Sequence, residues 1–161
     1  MSNKGFIGDV GLIMIVLFVF SITLLIAYAI NTEFYNTMSG IDTLNQTYVN
    51  QSIGQVSESL TVWDGLFVFI YVGFVLLTIG GAWFIKTNPL FFIFGIIGLI
   101  FLTFLGGIIS NVYEQTANVT VLQNASNTFT YTSFTMLNMP PLILIGGALV
   151  ILILFAKVIN P

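Results

Sequence analysis

The side chains that could do chemistry are few: three lysines, Lys4, Lys86 and Lys157, and six carboxylates, Asp9, Glu33, Asp42, Glu58, Asp64 and Glu114, with no Arg, His or Cys among 161 residues. Without His or Cys there is no imidazole base, no thiol nucleophile and no soft metal ligand. A proton relay, a coupled transporter or a haem-binding subunit would ordinarily need carboxylates, His or Arg buried in apolar surroundings. The apolar stretches of this chain hold none beyond their ends. Ser21, Thr23, Tyr71, Thr78 and Thr103 are their principal polar side chains, and hydroxyls on helices commonly bond their own backbone. The expectation is therefore a protein with no enzyme activity, no catalytic residue, no cofactor and no metal. So few cations also argue against nucleic acid as a partner. A passive pore lined by Asn and Thr would be hard to tell from ordinary helix packing.

The elements that carry these residues are set by lipid. The chain is 57% hydrophobic and 6% charged, and its mean hydropathy of +1.05 is that of an integral membrane protein. A bilayer core of about 30 Å takes about 20 apolar residues per helical span. Four stretches meet or approach that length: Val10–Ile30, Leu66–Ile85, Leu90–Val112 and Pro141–Ile159. The expected fold is all-α, a four-helix transmembrane bundle forming one integral membrane domain over 1–161, with outer segments 31–62 and 113–139. Lys4 precedes span one, Lys86 sits between spans two and three, and Lys157 ends span four. Lysine favours cytoplasmic flanks, so both termini are expected in the cytoplasm and five of the six acids outside. Asp9 and Asp64 are expected to open their helices and Lys86 and Lys157 to close theirs, each charge matching the helix dipole. Ala27-Tyr28-Ala29 resembles a signal-peptidase site, but the apolar run before it is too long for a typical signal peptide; span one is read as retained.

In the first outer segment Ile41, Leu44, Tyr48, Val49, Ile53, Val56 and Leu60 recur at intervals near three and four, an amphipathic helical pattern. That stripe has several destinations open: the membrane surface, the second outer segment, a partner, or continuation from a span. The second outer segment holds β-prone runs, Val119–Leu122 and Thr128–Thr132, around Gln123–Asn127. A small β-hairpin is predicted there, resting on the first segment or on another subunit because a lone hairpin is marginal in water. Asn45, Asn50, Asn118 and Asn124 each open an Asn-x-Ser/Thr triplet and are candidate glycosylation sites on the outer side.

Close helix approach in lipid relies on small residues. Counting from span ends, Gly80 and Gly81 lie level with Gly95 and Gly98, and Gly106 and Gly107 lie level with Gly146 and Gly147. This predicts that span three meets span two near the inner leaflet and span four near the outer. The short turn Lys86–Pro89 would make spans two and three an antiparallel pair. The two halves also echo one another: Phe84-Ile85-Lys86-Thr87-Asn88-Pro89 answers Phe155-Ala156-Lys157-Val158-Ile159-Asn160-Pro161, and Gly80-Gly81-Ala82 answers Gly146-Gly147-Ala148. Duplication of one hairpin unit would produce this, and so would the shared needs of two returning helices.

Asn88-Pro89-Leu90-Phe91-Phe92, Ser110-Asn111-Val112-Tyr113-Glu114 and Met139-Pro140-Pro141 together resemble small multi-spanning membrane proteins of bacterial and archaeal viruses, including icosahedral viruses with an internal membrane. The resemblance covers the C-terminal half. It implies a virion membrane protein that sits in a lipid bilayer, contacts capsid, vertex or other membrane proteins, and has no catalytic residues. A structural protein of a large assembly, in a virion internal membrane or the host cytoplasmic membrane, is the reading carried forward. An accessory subunit of a cellular membrane complex and a holin-like membrane-permeabilising protein are the alternatives. Homo-oligomerisation is compatible with each.

Overall fold

No proline occurs between Met1 and Asn88, so no residue there removes a backbone donor from a helix or crowds its preceding turn. The computed structural model, which describes the backbone over 6–41, 46–84 and 89–159 and side chains over 9–41, 47–84 and 92–157, carries two long helices there. They are α1, Phe6–Ser39, and α2, Gln46–Phe84. Pro89 opens α3, Pro89–Ala117. Pro140 and Pro141 fall in the first turn of the last helix, Met139–Ile159. Both lie where missing N–H groups leave no intrahelical bond unmade. Between them stand two short helices, α4, Thr120–Thr128, and α5, Thr130–Leu137, which makes the last helix α6.

Helices α1, α2, α3 and α6 are each long and apolar enough to cross a membrane, and the chain is an integral multi-pass membrane protein. Each extends the apolar stretch read from sequence. The first outer segment is no separate element: α1 continues to Ser39 and α2 starts at Gln46, so Tyr48, Val49, Ile53, Val56 and Leu60 of the predicted amphipathic stripe belong to the upper half of α2, while Ile41 follows the end of α1 and is exposed. Ile53 is buried, Val49 and Leu60 are half-buried, and Tyr48 and Val56 stay exposed. Leu44 lies outside the described residues.

The predicted β-hairpin over 119–132 is not formed, and among the described residues there is no strand. The β-prone side chains are overridden by burial at helical spacing. Leu122 is half-buried, and Ala125, Phe129, Thr132 and Met136 are buried, placing one face of both short helices on the larger ones. The chain turns between them at Phe129 (φ −87°, ψ 66°). Its ring packs edge-on to Tyr28 of α1 at 5.3 Å between centroids.

The packing sets the helix directions. Helices α3 and α6 run antiparallel in contact along their length: Phe92 meets Phe155 at 5.5 Å between centroids, Gly147 lies against Leu99, and Gly106 lies against Ile143 and Met139; just before α6, Ser110 Oγ donates to the carbonyl of Leu137, the last residue of α5, at 2.9 Å. Helix α2 runs parallel to α6, with Val75 against Gly146 and the buried Ala82 in a small cluster with Val150 and Leu154. Helix α1 returns against α2 through Phe20, whose ring lies 5.9 Å from Trp63 and 6.2 Å from Phe67. Against α3 it is staggered. Gly11 lies beside Leu102 and Leu105, and Met14 reaches Gly106, so the first residues of α1 stand about 12 Å above those of α3, at 1.5 Å per residue.

The main core gathers at the upper end, where α4 and α5 fill the space between the long helices. Leu25, Phe67, Tyr113, Phe129, Met136 and Met139 are its fully buried members.

Candidate functional site

Asp64 is the one acid buried among the described residues. It lies in the middle of α2, not at a helix start, so the dipole it was expected to meet is not that of its own helix. Instead its carboxylate reaches the N-terminus of α5. Oδ1 accepts the Thr132 N–H at 2.7 Å and Oδ2 accepts the Tyr131 N–H at 3.1 Å. These are first-turn amides with no intrahelical acceptor, and α5 has no side-chain cap of its own. A buried carboxylate is thus paired with two charge-assisted hydrogen bonds and a helix dipole in place of a cation.

Around this junction a chain of hydroxyls ties α3 to the short helices. Ser133 Oγ donates to the Ser126 carbonyl at 2.8 Å, which leaves it to accept from the Tyr113 hydroxyl at 2.9 Å. Ser126 Oγ in turn donates to the Gln123 carbonyl at 3.0 Å. Thr132 Oγ1 is buried with no hydrogen-bond partner. No three His, Cys, Asp or Glu side chains come together among the described residues. What the cluster does chemically is hold α2, α3, α4 and α5 in register with polar bonds. Four of the five polar side chains singled out inside the spans bond their own helix: Ser21 to Phe18, Thr23 to Val19, Thr78 to Phe74 and Thr103 to Leu99, each at 2.7–2.9 Å.

At the lower end, Lys157 lies in the last turn of α6. Its ammonium donates to the Trp83 carbonyl and stands 5.9 Å from the centre of that indole ring. The lysine serves the end of α2, where carbonyls lack intrahelical donors, and adds a cation–π contact. Lys4 and Lys86 lie outside the described residues. Asp9 is in the first turn of α1 and exposed.

The glycines divide. A methyl group on Gly106 would fall 2.5 Å from Ile143 Cδ1, and one on Gly147 would collide with Leu99, so both mark close approach of α3 and α6. Gly95 stands 4.0 Å from Ile151 and Leu154 by the same measure, Gly146 meets Val75 of α2, and Gly98 is buried. Around Gly80, Gly81 and Gly107 there is open space. Helix α2 therefore meets α6 through Ala82, and no comparable contact joins α2 to α3 among the described residues. The two Gly-Gly-Ala sequences do different work in the two hairpins. Asn50, Asn118 and Asn124 are exposed, and Asn45 lies outside the described residues.

Sequence reasoning missed the reach of Asp64 to α5 and of Lys157 to Trp83. The Asp64 partners are 67 and 68 residues away, and no local pattern announces a contact of that range. Comparison with protein-family models, curated proteins and solved structures gives no match.

Proposed function

We propose that this chain is a structural, non-catalytic membrane protein of a large assembly, with a virion membrane as its setting and capsid or neighbouring membrane proteins as its partners. The observation that carries the reading is the length of the first two helices. At 34 and 39 residues they measure about 51 and 58 Å, against about 30 Å of hydrocarbon. Their upper ends project as a helical pair exposing Phe34, Tyr35, Tyr48 and Val56 beside Glu33 and Glu58, a surface suited to protein contact. The use of Asp64 as a cap supports the same reading, because the buried carboxylate is engaged in holding the fold.

The deciding experiment is mass spectrometry of purified, lipid-containing particles from a producing culture. The chain should be present at a fixed ratio to the capsid protein. Its absence from particles, with recovery of a tagged copy alongside a catalytic membrane subunit, would replace this reading with that of an accessory subunit.

A further inference from the structure

The chain has two tryptophans, Trp63 and Trp83, and both stand exposed on α2. Twenty residues separate them (83 − 63), a rise of about 30 Å, which is the thickness of a bilayer core. Tryptophan gathers at the two membrane–water boundaries, and Lys157 ends α6 at the lower of these levels, where it reaches the Trp83 carbonyl. Used as a ruler, the pair puts the lower boundary near Trp83 and the upper one near Trp63.

Helix α5 lies at the upper mark. Val75 meets Gly146, and Asp64 is eleven residues further up α2 (75 − 64); Leu99 meets the adjacent Gly147, and Ser110 is eleven residues further up α3 (110 − 99). Each climb is about 16 Å, so Asp64 and Ser110 stand at one height. Asp64 holds the first turn of α5 through the Tyr131 and Thr132 amides, and Ser110 holds its last residue, Leu137. With both ends tied at the level of Trp63, α5 runs along the membrane plane and not through it.

The two faces of α5 differ. Thr132, Thr135 and Met136 are buried, while Tyr131, Phe134 and Leu137, at intervals of three, are exposed. The exposed row continues the apolar surface of the spans to which its ends attach: Trp63 and Leu66 on either side of Asp64, and Leu144 and Ile145 in the helix that follows Leu137. No charged residue occurs between Glu114 and Lys157, so α5 carries no group that holds it in water. Helix α4 is its contrast, with Gln123, Asn124 and Asn127 exposed.

We propose that α5 is an interfacial helix, its Tyr131, Phe134 and Leu137 face seated in lipid at the boundary between headgroups and acyl chains of the upper leaflet, with Asp64 fixing it there by capping its start. In-plane helices enter that boundary by about 5–10 Å, drawn by apolar area and by attraction of cations to anionic lipid. Because α5 has no cation, area alone seats it, and lipid charge has no effect. The inference rests on the membrane-spanning character of the chain and does not require a virion.

Tryptophan fluorescence reads this depth. The full chain carrying W63F, W83F and F134W has one reporter on α5, and the full chain carrying W63F keeps Trp83 as the reference. Both would be reconstituted in phosphatidylcholine vesicles with bromine either near the headgroup or near the end of the acyl chain. F134W should be quenched roughly threefold more by the shallow bromine than by the deep one, as Trp83 should be, and Y131W in place of F134W provides a second position if F134W does not fold. Stronger quenching by the deep bromine, quenching by aqueous acrylamide alone, or shielding from all three would each overturn the proposal, placing the face in the core, in water or under protein. Replacing part of the lipid with phosphatidylglycerol should leave the ratio unchanged; a rise would overturn seating by apolar area. Trp83 separates the two possible failures: if it also escapes both brominated lipids, the chain does not span the bilayer, whereas a quenched Trp83 beside an unquenched F134W refutes only the seat of α5.

Discussion

Asp64 shows how a charge can be buried without a counter-ion. Its two oxygens take the orphan amides of α5, and each partner answers the other's need: the carboxylate gains donors and the short helix gains a cap. Asp64→Ala should leave both amides unpaired in a buried site and cost about 1–3 kcal/mol, read as a lower midpoint in a detergent-unfolding titration. Asp64→Asn keeps one acceptor oxygen and should fall between Ala and wild type; equal midpoints for all three would mean that the cap carries no weight. Thr132, two residues into α5, offers the opposite test. Its Oγ1 is buried without a partner, so Thr132→Val removes an unsatisfied hydroxyl at nearly constant shape. Stability should rise by about 1 kcal/mol, and a loss in the same titration would show that the hydroxyl does have a partner.

At the scale of elements, what was legible in the sequence was whatever lipid enforces. Four stretches of about twenty apolar residues must be helices, and the structure has four long apolar helices covering them. Where they end was not legible, since the polar residues beyond Ile30 and before Leu66 contain no proline and allow each helix to run on into water. The short helices were misread because Val, Thr, Phe and Tyr favour strands only when a sheet surface receives them, and here the waiting surface is a set of helices. The helical spacing of Leu122, Ala125, Phe129 and Met136 was the signal available. Glycine was a partial guide, since it permits close approach without enforcing it. Gly80→Ala and Gly81→Ala face open space and should be neutral or stabilising by up to about 1 kcal/mol, as helix propensity dictates. Gly106→Val must displace Ile143 and should cost about 1–3 kcal/mol. If the Gly80 and Gly81 variants are the damaging ones in thermal aggregation assays, then α2 is held by glycine contacts and not by Ala82.

For the whole molecule, charge and shape are polarised along one axis. The upper end has the projecting helical pair, the short helices and the exposed acids Glu33, Glu58 and Glu114; the lower end has Lys157 bound to α2. Four spans put the start of α1 and the end of α6 on one side, and the lysine rule gives the expectation, carried here as a proposal, that this side is the cytoplasm. Orientation decides where partners of the upper pair are found, because they must lie on the side it faces. Because the chain lacks cysteine, Q55C on the exposed face of upper α2 and N160C near the chain end can be probed in intact cells with a membrane-impermeant maleimide. Q55C should label at once and N160C only after the membrane is opened. The reverse pattern would place the projecting pair in the cytoplasm, and any capsid or membrane partner would then have to be sought there. Labelling of both positions in intact cells would mean that the lysines do not impose a single orientation.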